Sequence, residues 1–377
     1  MKNGKTHILQ VVHSLIIGGT ERVVCDLVRS FNDERFTTSV CCLDELGGFG
    51  EDLLKDGYEV DVLGRQPGVD GGLVNRMKRL YREREVDIVH AHQYTPYFYA
   101  ASASLIGQRK PVIFTEHGRH YPDHLRPKRA LFNQVLRTVT TAYTGVSEFT
   151  RRSLVSFEKM PASRISVIYN GIWSANQPQH SEERETIRTS MGLQEDDLLV
   201  LSIGRMDPIK DFETLIRGFV PVAEEFPTAR IWIAGGGDPG YGRKLGELIS
   251  SLDLQGRVTL LGSRRDVPQL LAACDVFVLP SITEAASMTI LEAMSARRAV
   301  VTTRTGGNPE LVQEGITGLL FGVKDTADLS RNLSNILGNH ALRTAMGEAG
   351  HRRVRDIFSM NRTLDQYRRL YMQAGSN

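Results

Sequence analysis

Two short stretches hold the residues whose types and spacing could do chemistry. "SITEAASMTILEAMS", Ser281 to Ser295, places two carboxylates, Glu284 and Glu292, in a run that is otherwise small and apolar. "LSIGRMDPIKD" places Arg205 and Lys210 in the loop past an apolar, strand-like run. Two fixed cations there can neutralise a diphosphate, Arg as a bidentate fork and Lys as a point charge. The alternative is a solvated loop with ordinary surface charges. Ser287, Met288 and Thr289 would form the first turn of a helix, whose free N–H groups and dipole suit a phosphate. Glu292 falls a turn further on, a few ångströms along by helical rise. There it could accept hydrogen bonds from a ribose diol. Glu284, in the turn before the helix, can reach whatever the distal phosphate carries. The plainer alternative is a helix-start acid and a surface acid.

Other candidates are singly weaker. "HSLIIGGTERVV" follows the first apolar run; Gly18 and Gly19 let backbone approach a ligand, and Thr20 is the expected N-cap. An ordinary strand-to-helix turn explains them equally. His117 in "FTEHGRHYP" sits at a strand end, where it could hydrogen-bond a substrate hydroxyl or be structural. His90 and His92 in "VHAHQ" share a strand face, and with His117 they could suggest a metal site, although no carboxylate or Cys stands nearby at ligand spacing. Gly235, Gly237 and Gly240 make a G-x-G-x-x-G match. A dinucleotide fold carries that fingerprint on its first strand, whereas here it lies deep in the chain. It reads instead as a strand-end turn near a nucleotide base. The chain has no G-x-x-x-x-G-K-[ST], G-x-S-x-G, H-E-x-x-H or D-x-D. Any bound diphosphate must therefore be held by Arg205, Lys210 and a helix N-terminus, with no metal and no cofactor.

The elements that must position these residues alternate. "HILQVV", "TTSVCCL", "EVDVL", "DIVHAH", "PVIFTEH", "AYTGVS" and "ISVIYN" predict strands separated by amphipathic runs such as 21–31, 73–84 and 128–138. A polar segment, "SANQPQHSEERETIRTS", predicts a linker plus an entry helix. The alternation restarts with "LLVLSIG" and continues through "ARIWIAG", "RVTLLG", "CDVFVLP", "RAVVTT" and "GLLF", and after Asp325 only helical pattern remains. This is the pattern of two doubly wound parallel α/β domains in tandem. Ligands in such sheets bind beyond the carboxyl ends of the strands. Two such domains would face each other across a cleft.

At 377 residues and 41% hydrophobic content the chain can fill two cores, and a net charge of +2 excludes a whole-chain field for nucleic acid. The four cysteines, Cys25, Cys41, Cys42 and Cys274, form no CxxC and predict reduced thiols in a cytoplasmic protein. No stretch approaches the ~20 apolar residues of a membrane span. A basic segment, 119–137, interleaves aromatic and aliphatic residues. It predicts either a solvated helix face or peripheral contact with an anionic membrane.

Taken in order, these motifs resemble the retaining glycosyltransferases of family four, which have the GT-B fold. "GGTERVV" is similar to that family's N-terminal glycine loop, "TEHG" to its donor-contacting histidine motif, and "VIYNG", with Asn170, to its Asn-Gly interdomain turn. "GRMDPIKD" resembles its phosphate pair, "EAASMTILE" its E-x7-E motif, and "GGNPELV…GITGLLF" its closing segment. The detail of "TILEAM" and "GGNPELVQ" looks most like bacterial exopolysaccharide-type sugar transferases. The resemblance implies an N-terminal domain over 1–175, a nucleotide-sugar domain over 190–357, and a C-terminal helix, 358–377, that returns to the first domain. It implies transfer of a hexose-type sugar from a UDP- or GDP-sugar to a glycan or lipid-linked acceptor. Arg205 and Lys210 would hold the diphosphate, Glu292 the ribose, Glu284 the sugar, and His117 a sugar hydroxyl. Two departures stand out: Ala285 follows the first Glu where the family commonly has Gly, and Ile172 and Trp173 follow the Asn-Gly turn where an Asp is usual. A GT-B phosphorylase, a nucleotide-sugar epimerase and a non-catalytic binding subunit are the rival readings.

Overall fold

The computed structural model describes residues 4–16, 18–118, 123–173 and 181–376, and the chain divides into two compact units. The first unit comprises Met1–Asn170 and Asn361–Asn377, the second Gly171–Met360. The first holds β1 (Thr6–Ser14), α1 (Gly19–Ser30), β2 (Phe36–Glu45), α2 (Gly48–Lys55), β3 (Val60–Val62) and α3 (Gly71–Glu83). It continues with β4 (Ile88–His92), α4 (Tyr94–Leu105), β5 (Val112–Glu116), α5 (Pro127–Leu136), β6 (Thr140–Gly145), α6 (Glu148–Glu158) and β7 (Ile165–Val167). Its sheet is seven-stranded and parallel, in the order β3-β2-β1-β4-β5-β6-β7. β4 and β5 are buried along their whole length. With both faces covered they do not alternate buried with exposed residues, and their polar members, His90, His92, Thr115 and Glu116, are themselves buried.

The second unit opens with α7 (Ser181–Ser190), followed by β8 (Leu198–Ile203), α8 (Phe212–Glu225), β9 (Ala229–Ala234), α9 (Pro239–Ser251), β10 (Val258–Gly262) and α10 (Val267–Ala273). It goes on through β11 (Val276–Leu279), α11 (Met288–Ser295), β12 (Ala299–Thr303), α12 (Asn308–Leu311), β13 (Gly318–Phe321), α13 (Thr326–Gly338) and α14 (His340–Ile357). The last helix, α15 (Met360–Gly375), begins at the unit boundary. The parallel sheet runs β10-β9-β8-β11-β12-β13. Its core joins Val200, Ile231, Val276 and Val301 of the strands to Phe212, Phe219 and Leu333 of the helices.

Each sheet reverses its winding at one place, between β1 and β4 in the first unit and between β8 and β11 in the second. Doubly wound sheets bind ligands just beyond the carboxyl ends of the strands at such a switch point. Every predicted strand is present, and the fold class is the one expected, two Rossmann-like α/β units. The linker residues 174–180 lie outside the described residues. Among the described residues no helix is long and apolar enough to cross a membrane.

Candidate functional site

The second unit's switch point is built by the loops after β8 and β11. Gly204 follows β8, and Arg205 comes next, largely exposed, with its Nη2 3.8 Å from Asp207 Oδ2. Asp207 caps a short 3-10 turn, Pro208–Lys210, by accepting from the Ile209 N–H. This turn swings Lys210 back under the loop, and its Nζ meets Glu284 Oε1 at 2.5 Å. Ser281 Oγ donates to the same oxygen at 2.7 Å. Both charged groups are mostly covered, at 17% and 12% exposure. Lys210 lies past the strand as the sequence predicts, and its partner there is a carboxylate.

Backbone bonds fix the loop that carries Glu284. The Ile282 N–H donates to Ile209 O at 2.8 Å, which ties it to the Lys210 turn. Thr303 and Thr305 hydroxyls hold the carbonyls of Ser281 and Ile282, and the Gly307 N–H holds that of Glu284 at 2.9 Å. Gly306, at φ +56°, passes so close that a Cβ there would lie 1.9 Å from Glu284 O. The backbone that packs directly against Glu284 is therefore that of Gly306. Ala285 is not among the positive-φ residues, so nothing in its backbone demands the glycine that the family commonly has there.

Met288 and Thr289 form the first turn of α11 as expected, whereas Ser287 stands just before it as the N-cap and accepts from the Ile290 N–H. Thr289 and Glu292 are half-buried on the same helix, spaced three apart. Gly235 and Gly237 follow β9 with positive φ, and Cβ atoms there would strike the backbone of Gly204 and Met206. The glycine match therefore serves to let β9 lie against the Arg205 loop, while Asp238 caps α9. Ile172 pairs with the chain at Phe358 and Met360 through two 3.0 Å backbone bonds. This is the use found for the position where the family's Asp is absent.

In the first unit, Gly18 is itself the N-cap of α1, in extended conformation and with no side-chain cap bond. The expectation of Thr20 as cap is corrected, because the helix starts at Gly19 and Thr20 lies within it. Asn170 is buried at the end of the unit. His117 directly follows β5 and is 8% exposed. Its Nε2 faces His92 Nδ1 at 2.8 Å, and His92 Nε2 faces Gln10 Oε1 at 2.8 Å. Burial lowers the His117 pKa to about 3 and holds His90 and His92 well below the usual imidazole range. The three rings are thus neutral, and the nitrogens that might have met a metal are largely spent on neighbours. Sequence reasoning missed Gln10 and Tyr371. The signals were a polar residue inside a buried strand and a tyrosine pair four apart in α15.

The chain is similar to known proteins along most of its length. The sequence model of the family described as Glycosyltransferase Family 4 matches residues 17–173, and that described as Glycosyl transferases group 1 matches residues 183–353. N-acetyl-alpha-D-glucosaminyl L-malate synthase of Bacillus anthracis is 26% identical over 310 residues, covering 81% of this chain and 79% of that protein. A crystal structure of a glycosyltransferase from Rickettsia africae superposes with a TM-score of 0.87 at 21% identity, covering 99% of both chains. HepE of Anabaena, solved with UDP and glucose, superposes with a TM-score of 0.84 at 23% identity, covering 97% of this chain and 99% of that one. With two glycosyltransferase domains in tandem and GT-B structures as its neighbours, the chain belongs to the family-four glycosyltransferases of GT-B fold.

Proposed function

We propose that this glycosyltransferase moves a hexose-type sugar from a UDP- or GDP-sugar to a glycan or lipid-linked acceptor, with retention at the anomeric carbon and without a divalent metal. The observation that carries this reading is the convergence of Lys210 and Glu284 at the second unit's switch point, beside the capped start of α11. A diphosphate placed there meets Lys210, Arg205 and the free N–H groups of Met288 and Thr289. Such preorganised donors are worth most where negative charge grows in the transition state, here on the leaving phosphate. Lys210 would be shared between phosphate and Glu284, and Glu284 would turn its second oxygen to the sugar. The names of the relatives support this: the Bacillus protein is named for an N-acetylglucosaminyl product, and HepE was solved with UDP and glucose.

A double displacement needs a carboxylate nucleophile within ~5.5 Å of the acid partner. Glu284 is committed to Lys210 and Ser281. A same-face attack fits better: the acceptor oxygen bonds to the anomeric carbon as the bond to phosphate breaks. The acceptor's proton passes to the departing phosphate oxygen. The exopolysaccharide-type assignment remains part of this proposal. So does peripheral membrane contact. Residues 119–122 lie outside the described residues, but α5 exposes Leu131, Phe132 and Val135 beside Arg126, Lys128 and Arg137.

A thermal-shift panel of UDP-, GDP- and ADP-sugars tests the reading. A true donor at 100 times its Kd should add ~2.7 kcal/mol, and Arg205→Ala should lower turnover at saturating donor by ~10²-fold. No stabilisation by any nucleotide sugar, or full turnover in the variant, would overturn it.

A further inference from the structure

The histidines of the first unit belong to one buried hydrogen-bond chain that spans five elements, β1, β4, β5, β6 and α15. It starts at His117 Nδ1, a buried nitrogen with no hydrogen-bond partner among the described residues. From the other face of the ring it passes to His92 and then to Gln10 Oε1. Gln10 Nε2 donates to Tyr371 Oη at 3.1 Å, and Tyr371 lies 2.7 Å from His90 Nδ1. His90 Nε2 meets Thr115 Oγ1 at 2.7 Å, and Thr115 meets Thr144 Oγ1 at 2.5 Å. The last hydroxyl donates to the carbonyl of Phe114 at 3.4 Å. Apart from His117, at 8% exposure, every link is at most 1% exposed.

A carbonyl can only accept, so the end of the chain sets the direction of every hydrogen in it. With the Thr144 proton on Phe114 O, Thr144 accepts from Thr115, whose Oγ1 also lies 3.3 Å from Tyr367 Oη and accepts there. Thr115 then accepts from His90 Nε2–H, so His90 Nδ1 is bare and accepts from Tyr371. Tyr371 has one proton, spent on His90, and therefore accepts from the Gln10 amide. That orientation turns Gln10 Oε1 to His92, whose Nε2 must carry hydrogen and whose Nδ1 must not. His117 then donates through Nε2, and its orphaned Nδ1 is an acceptor.

We propose that Gln10, His92 and Tyr371 are positioning residues that lock His117 in the tautomer whose Nδ1 accepts, so that the first unit recognises a hydroxyl donated by the sugar and rejects an oxyanion at that point. The choice of a sugar hydroxyl as ligand rests on the reading given under Proposed function; the tautomer itself does not. A buried acceptor left bare has lost its water and gains most from a ligand that brings an O–H. The site would thus discriminate between a sugar and its deoxy analogue, and α15 acts on it through Tyr371 without touching the ligand.

The test uses the full chain labelled with ¹⁵N-histidine. Long-range ¹H–¹⁵N correlation should show His117 and His92 each with a pyridine-type Nδ1 and a pyrrole-type Nε2 from pH 6 to 8. A protonated Nδ1 on His117 overturns the proposal, whatever the protein's activity. Tyr371→Phe removes the acceptor for the Gln10 amide and should mix or invert both tautomers. In the same variant kcat/KM for the sugar donor should fall about tenfold, the worth of one hydrogen bond, while the Kd of the sugar-free nucleoside diphosphate stays within twofold. Gln10→Met should behave alike. Unchanged tautomers and unchanged kcat/KM in both variants would overturn the positioning role. If no nucleotide sugar binds at all, the functional reading falls while the nitrogen shifts still decide the tautomer.

Discussion

Replacing Gly306 by Ala should inactivate the protein through a residue that touches no ligand. The new Cβ would lie 1.9 Å from the carbonyl oxygen of Glu284 and 2.9 Å from its carbon. Carbon and oxygen rarely approach closer than ~3.3 Å, so the two segments must separate by roughly 1.4 Å at that point. The bond from the Gly307 N–H to Glu284 O, 2.9 Å long, cannot survive such a shift. Left-handed backbone in an L-residue costs ~1–2 kcal/mol, and the lost bond adds about 1 kcal/mol. A stability loss of ~2–3 kcal/mol follows. The functional loss should be larger, because reacting groups tolerate only ~0.5 Å of error and a 1 Å misplacement can cost ~10²-fold in rate. Gly315→Ala is the control. Gly315 has φ +73° and nothing within 4 Å of its added Cβ, so it suffers the backbone strain without the clash. Urea unfolding should find Gly315→Ala ~1 kcal/mol less stable, with release of nucleoside diphosphate from the donor within twofold of the unaltered protein. Gly306→Ala should release it about 100-fold more slowly. Equal rates in the two variants would refute the placement of Glu284 at the reacting sugar.

Acid should weaken the first unit through its histidines. His90, His92 and His117 stay neutral when folded because burial disfavours their charged form, whereas the unfolded rings take a proton near pH 6.5. Their contribution is complete above that pH and is lost as pH falls from about 6.5 toward 3, at ~1.4 kcal/mol each between pH 7.5 and 5.5 and ~4 kcal/mol together; urea midpoints that move by less than one histidine's share would show rings that titrate freely. A chelator should leave turnover within about twofold, and a loss restored by added Mg²⁺ or Mn²⁺ would defeat the metal-free mechanism. Phe132→Glu should cut binding to vesicles of anionic phospholipid about tenfold, and the binding of the unaltered protein should fade with salt. At 52% exposure Phe132 can be changed with little effect on stability, so equal sedimentation of both proteins would assign α5 to solvent.

The strands were legible because both faces of each sheet are covered, which turns them into apolar runs such as "DVFVLP" and "AVVTT". The site positions were legible for a related reason, since reactive side chains in these sheets stand just past strand ends. What the chain order hides is which strand ends are neighbours. Lys210 and Glu284 are 74 positions apart, and only the order β8-β11 makes their loops adjacent. Tyr371 meets His90 across 281 positions, a pairing that no local spacing encodes. Gln10 was visible as a polar interruption of the first strand, but an isolated amide has no signature until its two partners are known. Thr20 differs for another reason: a glycine cap has no side chain to announce itself, and the nearest hydroxyl lies inside the helix.

The two switch points obey one topological rule and yet differ in chemistry. In the second unit the strand ends carry full charges, Arg205, Lys210 and Glu284, with the amides of a helix start beside them. In the first unit His117, past β5, heads a chain of neutral rings, hydroxyls and an amide. A transferase reaction asks for this division. Negative charge builds on the departing phosphate and rewards fixed cations, whereas positive charge builds on the sugar ring and would be repelled by an imidazolium. Burying His117 makes protonation costly, and the chain behind it supplies the hydrogen bond that burial would otherwise remove. On the role proposed for His117, a neutral ring is the form that can accept a hydrogen bond without adding positive charge. The low pKa of His117 is on this argument a requirement of the chemistry, and a variant that let water reach the ring would lose rate as pH falls while keeping its affinity for the nucleotide.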